Sequence, residues 1–258
     1  MNTRIKTKPE IESIRVSGRM LAMVLQAARG QVSEGMSTKD IALIAAAELQ
    51  GLGGKPAFLG YQGFPDVICI SVNQEVVHGI PTAHKVVRSG DIVSLDFGVT
   101  YQGMITDGAI SVIVGGPAAA RDPRVAKLVR ATEASMHAGI GVLRDRIRTG
   151  DIGAAVQAVL LNTKLGGPYG IVRDLVGHGV GHELHEDPNI PNYGRPNTGP
   201  WLSAGMTIAI EPMATLGSEK VFVAPDGWTI NTADGSMAAH FEHTILITED
   251  GAEIITEV

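Results

Sequence analysis

The sequence predicts an α+β protein built from two similar halves, each packing helices on one face of a sheet. Two observations carry that reading. The elements run helix, helix, strands, helix, helix, strands, and no stretch of the 258 residues is rich enough in Ser, Gly or Pro to divide them. A chain this long buries roughly 70–75% of the surface its unfolded form exposes, so a substantial core needs no staples. Residues 1–258 therefore read as one domain, with 1–7 as a flexible tail.

Pro9 suits a first helical turn, and Glu10 and Glu12 complement the positive end of the helix dipole. Ile11, Ile14, Val16, Met20, Leu21, Met23, Val24 and Leu25 follow with a rough 3.6 period as far as Gly30. Ser37-Thr38-Lys39-Asp40 reads as a capping box opening a second helix that carries Ile41, Ile44 and Leu49 and closes at Gly51. After a Gly/Pro-rich stretch, segments 67–73, 75–80, 91–100 and 104–114 are rich in Val and Ile and read as strands. Segments 124–143 and 152–161 read as helices again, with Thr149 capping the second. Short strands follow at 175–185, 206–211, 220–223, 229–231, 239–247 and 253–257.

The net charge of −6 argues against nucleic acid as the main ligand, because phosphate binding needs clustered Lys and Arg. Cys69 is the only cysteine, which rules out an intrachain disulfide and fits a reducing compartment. The first fifteen residues hold no apolar stretch of the secretory kind, and no charge-free apolar run approaches the ~18–20 residues of a membrane span. A cytoplasmic protein without a membrane partner is expected.

Three segments place ionisable groups inside apolar strands. In G-D-I-V-S-L-D-F-G-V-T-Y-Q-G-M-I-T-D-G, Asp96 and Asp107 lie where lone carboxylates are costly. A two-residue loop at Tyr101 and Gln102 sets the two side chains directly opposite, with Cβ atoms roughly 4.5–5.5 Å apart, and a cation between them resolves their repulsion. In V-G-H-G-V-G-H-E-L-H-E-D-P, the glycines exclude a stable helix, so this is not the helical zinc pattern. His178 is the preferred metal ligand there, His185 is a ligand or a donor behind one, and His182 reads as a bystander. Glu211 ends the apolar run M-T-I-A-I-E-P and Glu242 interrupts A-H-F-E-H-T-I-L-I, neither with a basic partner nearby. Two Asp, two Glu and one His make an oxygen-rich set of formal charge −4, which two divalent ions neutralise; Mn, Fe, Co or Zn suit it. Two ions about 3.5–4 Å apart, bridged by a hydroxide, form a known hydrolytic device.

At these residues the sequence resembles the type I methionine aminopeptidases of the M24 peptidase family, in their short bacterial form. The likeness covers about residues 8–255 and is carried by F-P-D-V-I-C-I-S-V-N-Q-E-V-V-H-G-I-P, the paired aspartates, G-H-G-V-G-H-E-L-H-E-D-P, T-I-A-I-E-P and F-E-H-T, in order. It implies the pita-bread fold, with pseudo-twofold halves and a central antiparallel sheet around a dinuclear site. It implies that Asp96, Asp107, His178, Glu211 and Glu242 hold two divalent ions, with Asp107 and Glu242 bridging them. His78 and His185 would contact the substrate, and Glu211 would carry a proton from water to the leaving amine. Phe58, Tyr61, Phe64, Cys69, Leu184 and Trp228 would form the methionine pocket, where aromatic rings and a soft sulfur suit a thioether. Leu175 and Leu184 depart from the larger residues common there, and the resemblance assigns no role to His182 or His240.

The function implied is excision of the initiator methionine from nascent chains whose second residue is small, by a monomer. The basic start, Arg4, Lys6 and Lys8, offers a transient ribosome contact, although a solvated tail is the preferred reading. Two rivals share the fold. A proline-specific peptidase usually carries an extra N-terminal domain, for which this chain has no room. A catalytically inactive peptide-binding module has usually lost ligands, whereas all five stand here.

Overall fold

In this computed structural model, residues 5–257 are described. Helix α1 (Lys8–Gln31) begins where Glu10 reaches back, its Oε2 accepting the Thr7 N–H at 2.7 Å. The predicted capping box opens α2 (Thr38–Leu52): the Ser37 hydroxyl accepts from the Asp40 N–H at 3.1 Å, and Asp40 Oδ2 accepts from the Ser37 N–H at 2.9 Å. This helix passes the expected stop at Gly51 and ends on Gly53, whose φ of 77° favours glycine.

Strands Ile92–Tyr101 and Met104–Ile113 form a long hairpin, with Cys69–Val72 and Lys55–Pro56 pairing antiparallel to the first of them. Alternation divides its faces. Val93, Leu95, Phe97 and Val99 pack with Leu21, Val24, Ile41 and Leu49 of α1 and α2, so Asp96 and Gly98 face the other way. In the second half, α3 (Pro123–Gly141) and α4 (Thr149–Leu160) bury Leu128, Met136, Ile152 and Val156 against Ile208, Ile210 and Ile245. Those isoleucines belong to a second antiparallel sheet, ordered Ala252–Ile254, His243–Ile247, Thr207–Ile210, Gly177–Gly179, Glu186–Ile190. An antiparallel bridge between Ala109 and Glu242 joins the halves. This is the two-halved arrangement that the element order predicts.

Several local expectations are corrected. The hairpin turns at Gln102 and Gly103, both with positive φ (48° and 80°), not at Tyr101 and Gln102. Asp96 therefore pairs with Ala109, and Asp107 with Gly98. The aspartates are diagonal neighbours on one face rather than opposed. The 175–185 strand shrinks to Gly177–Gly179, and the chain then bends at Gly181 (φ 145°). Strand Glu186–Ile190 went unpredicted because Asp187, Pro188 and Asn189 are poor strand formers; pairing with Gly177–Gly179 supplies what propensity does not. Helix α4 takes in Thr149 rather than being capped by it.

The expected 239–247 strand is two strands. Ala238–His240 pairs with Met213–Thr215, and His243–Ile247 pairs with Thr207–Ile210. Both antiparallel partners thus break at the same level, one at Glu211-Pro212 and the other at Phe241-Glu242. Proline cannot donate to a ladder, which forces the first break. Each break carries one glutamate.

The tail expectation fails at Lys6, whose side chain is 0% exposed and whose Nζ lies 2.7 Å from Glu186 Oε2. Arg4 lies outside the described residues.

Candidate metal centre and substrate cavity

The hairpin turns Asp96 and Asp107 away from the helices, and the two strand breaks turn Glu211 and Glu242 towards them. Strand Gly177–Gly179 brings His178. Gly177 is required there, since a Cβ at that position would stand 2.3 Å from the Ala209 carbonyl oxygen. Metal-binding atoms of Asp107, His178 and Glu242 lie within 4.8 Å of one another, and so do those of Glu211, His240 and Glu242. The His178 Nε2 is 3.6 Å from Glu211 Oε1.

Burial raises all four carboxyls. Asp107 is pushed up to about 7, and Asp96, Glu211 and Glu242 well above the usual carboxylate range, with the neighbouring carboxylates adding to the rise in those three. Burial, then His185, lowers His178 to about 3, so its imidazole is neutral. Its Nδ1 lies 2.9 Å from the Gly179 carbonyl oxygen, which can only accept; the proton therefore sits on Nδ1, and the Nε2 lone pair faces the carboxylates. Glu242 Oε1 is buried without a hydrogen-bond partner among the described residues. Acidic oxygens gathered with a neutral nitrogen, with no Lys or Arg among the described residues that line the cavity, fit divalent cations.

Asp107 is held by its main chain: its N–H donates to Thr244 Oγ1 at 2.9 Å, and that hydroxyl donates to its carbonyl at 2.8 Å. Thr244 was not singled out from the sequence.

Beside the cluster, all thirteen residues named from the sequence line one cavity of about 180 Å³. That is smaller than the roughly 300–1,000 Å³ of drug-sized pockets and suits a single side chain. Phe64 and Trp228 meet edge to face at 5.2 Å, and Phe58, Cys69 and Leu184 complete the apolar wall. Phe58 gets this close because residue 98 is glycine; a Cβ there would stand 2.7 Å from its ring. Cys69 pairs with Asp96, and burial, then that carboxyl, raises its thiol well above its usual range, so it is a wall and not a nucleophile. Gln62, Val77, Leu175 and Val176 also line the cavity.

The His185 ring lies tilted against that of His178, centroids 4.3 Å apart, and its Nδ1 is 2.9 Å from the Tyr61 hydroxyl. His78 follows strand Glu75–Val77 at φ 58°, a strained backbone for this residue, and burial, then His185, lowers it to about 4.

The model of metallopeptidase family M24 matches residues 12–249. The chain belongs to this family. Among M24 relatives, it is 42% identical to a Bacillus subtilis methionine aminopeptidase over 98% of both chains. It is 41% identical to one from Mycobacterium tuberculosis, over 96% of this chain and 92% of that one. A Thermotoga maritima methionine aminopeptidase structure superposes with TM-score 0.94 at 46% identity, covering 99% and 100%. A Pyrococcus furiosus prolidase, with TM-score 0.77 and 24% identity over 99% of this chain and 66% of that one, shares the fold alone. The M24 chain thus has the predicted pita-bread architecture.

Within it, His182 is no cavity residue. Its Nε2 lies 2.8 Å from Glu10 Oε1, while its main-chain N–H donates to Glu186 Oε1 at 2.7 Å. Lys6, Glu186, His182 and Glu10 together clamp the loop that carries Leu184 and His185. Lys6→Met would leave Glu186 buried without its cation, a change that destabilises by roughly 3–5 kcal/mol. Thermal unfolding should show the loss. A melting temperature equal to that of the parent protein would contradict a structural role for the pair.

Proposed function

We propose that this chain is a methionine aminopeptidase that hydrolyses the first peptide bond of chains beginning with methionine. The observation that carries the reading is one small cavity with an acidic, imidazole-edged wall on one side and an aromatic, sulfur-containing wall on the other. It is supported by the methionine aminopeptidases that match at 41–42% identity over nearly their whole length. The prolidase matches at only 24%.

In this reading Asp96, Asp107, His178, Glu211 and Glu242 would hold two divalent ions. The buried, partnerless Glu242 oxygen and the lysine-free surroundings support that set. Ions bound there supply Lewis acidity, which polarises a carbonyl and makes water nucleophilic at neutral pH. The methionine side chain enters among Phe58, Tyr61, Phe64, Cys69, Leu184 and Trp228. With the Tyr61 hydroxyl, 2.9 Å from His185 Nδ1, acting as donor, the imidazole proton would sit on Nε2, where it can stabilise charge developing on the scissile carbonyl oxygen. His78 hydrogen-bonds the scissile nitrogen. Glu211 accepts the proton lost by water and returns it to the departing amine. The second residue is small in this reading, as the resemblance to the family implies.

Among the described residues no helix is long and apolar enough to cross a membrane. We place the enzyme in the cytosol and expect Co, Mn, Fe or Zn to activate it. Methionine release from Met-Ala-Ser across these ions tests the reading, beside Met-Leu-Ser and Xaa-Pro dipeptides. Met-Ala-Ser should be cleaved well, Met-Leu-Ser poorly and Xaa-Pro not at all. A metal-loaded sample that cleaves only Xaa-Pro, or nothing, overturns it.

A further inference from the structure

His240 has no part in the reaction above, yet it lies against the cluster, 1% exposed. Its backbone is pinned on both sides by Ser111: the His240 N–H donates to Ser111 Oγ at 2.9 Å, and the Ser111 hydroxyl donates to the His240 carbonyl at 2.8 Å. The ring is thereby presented to Glu211, with Nε2 3.6 Å from Glu211 Oε2 and 4.0 Å from Glu242 Oε2. The Glu211 carboxylate is bracketed, since His178 Nε2 stands at the same 3.6 Å from its other oxygen.

The two imidazoles differ in one respect that separates their roles. His178 places its Nδ1 on the Gly179 carbonyl, which turns an Nε2 lone pair outward. His240 has no such acceptor: neither of its ring nitrogens has a hydrogen-bond partner among the described residues. A neutral imidazole carries one N–H, and leaving it buried without an acceptor is costly. At Nδ1 nothing accepts it. At Nε2 two carboxylates stand nearby. The remaining gap to Glu211 closes by turning the terminal carboxylate torsion, which is soft and roughly two-fold.

We propose that His240 is a positioning residue for Glu211: its Nε2–H donates to Glu211 Oε2 and fixes the rotation of that carboxylate, so that Oε1 stays beside His178. The inference rests on the reading of Glu211 as ligand and proton carrier. Groups that hydrogen-bond a ligating carboxylate typically tune metal affinity or activity 10–100-fold. His240 would do so without touching ion or substrate.

His240→Leu and His240→Gln test it, because a glutamine amide nitrogen reaches about where Nε2 does and donates, whereas leucine fills the space without a donor. With manganese(II), His240→Leu should lower ion affinity measured by calorimetry, and kcat on Met-Ala-Ser, about ten- to hundred-fold. KM should stay within about twofold, and His240→Gln should recover most of both losses. Pulsed electron paramagnetic resonance should count one coordinated imidazole in the parent protein and in both variants. A second imidazole in the parent that disappears in His240→Gln would make His240 a ligand and overturn the proposal. So would parent-like affinity and kcat in His240→Leu, or a His240→Gln protein that folds but gains nothing over leucine. If His240→Leu does not fold, His240→Gln decides alone: it must keep near-parent affinity and kcat. Glu211→Gln separates the two readings. If that variant is fully active, the role of Glu211 itself is wrong; if it is inactive while His240→Leu is unimpaired, only the present inference fails.

Discussion

His178→Ala is expected to lower kcat for methionine release by a factor of about a thousand or more. The imidazole groups with Asp107 and Glu242, and its tautomer is held by the Gly179 carbonyl. Removing it leaves a carboxylate set that binds at least one ion more weakly and less centrally. Lewis-acid stabilisation is worth several kcal/mol, and each 1.36 kcal/mol is tenfold in rate. Bound ions per chain, counted by elemental analysis, should fall together with the rate on Met-Ala-Ser. Glu211→Gln should separate the two readouts: its amide keeps the shape and part of the affinity but takes up no proton, so kcat falls more than ion content does. Parent-like turnover in His178→Ala would remove the centre from where we place it.

Stripped of divalent ions, the protein should become less stable as pH rises above about 6.5, and added ions should reverse the loss. The sign follows from which state holds more protons. Asp107 is raised to about 7 and Asp96, Glu211 and Glu242 well above the ordinary range, so these folded carboxyls keep protons that the unfolded chain, ionising near 4, has released. Their contribution is intact below about pH 4 and is lost as pH climbs through 7 for Asp107 and as each of the others ionises. Buried histidines pull the other way: His178 and His240 are lowered to about 3, and His78 and His243 to about 4, chiefly by burial. They destabilise the folded protein only below about 6.5, where unfolded histidine is protonated. The two effects oppose each other between 4 and 6.5, and the carboxyls act alone above that. From pH 6.5 upward the melting temperature of the stripped protein should therefore fall. Ions bind the ionised form and stabilise the folded state by mass action, most at the alkaline end. Melting curves with chelator and with manganese(II) across that range are the check. A stripped protein whose melting temperature climbs with pH, or one indifferent to ions, would contradict the buried acidic cluster.

Why the centre was legible in the sequence, while its register was not, follows from two kinds of physics. A carboxylate inside an apolar strand needs compensation wherever it lies, so Asp96, Asp107, Glu211 and Glu242 stand out in one dimension. The turn is a local choice among neighbouring residues: Gln102 and Gly103 accept positive φ, and the hairpin shifts to them. Moving a turn by one residue moves each cross-strand partner by two, which preserves the face. The aspartates therefore stayed on the predicted side although their pairing was wrong. His240 was within reach of the same logic, being two residues before Glu242.

By itself, the sequence determined the starts of the first two helices, the two-halved order and the acidic strands, while the pocket residues came only from the resemblance to the family. The first three depend on caps, periodicity and the penalty for burying charge, all readable over a few residues. Only the tertiary structure decided that the 239–247 segment breaks at Phe241-Glu242, that Lys6 closes onto Glu186 from 180 positions away, and that His240 rather than His182 faces Glu211. Such pairings are set by which distant segments share a ladder or a cavity wall, and no local pattern encodes the partner's address.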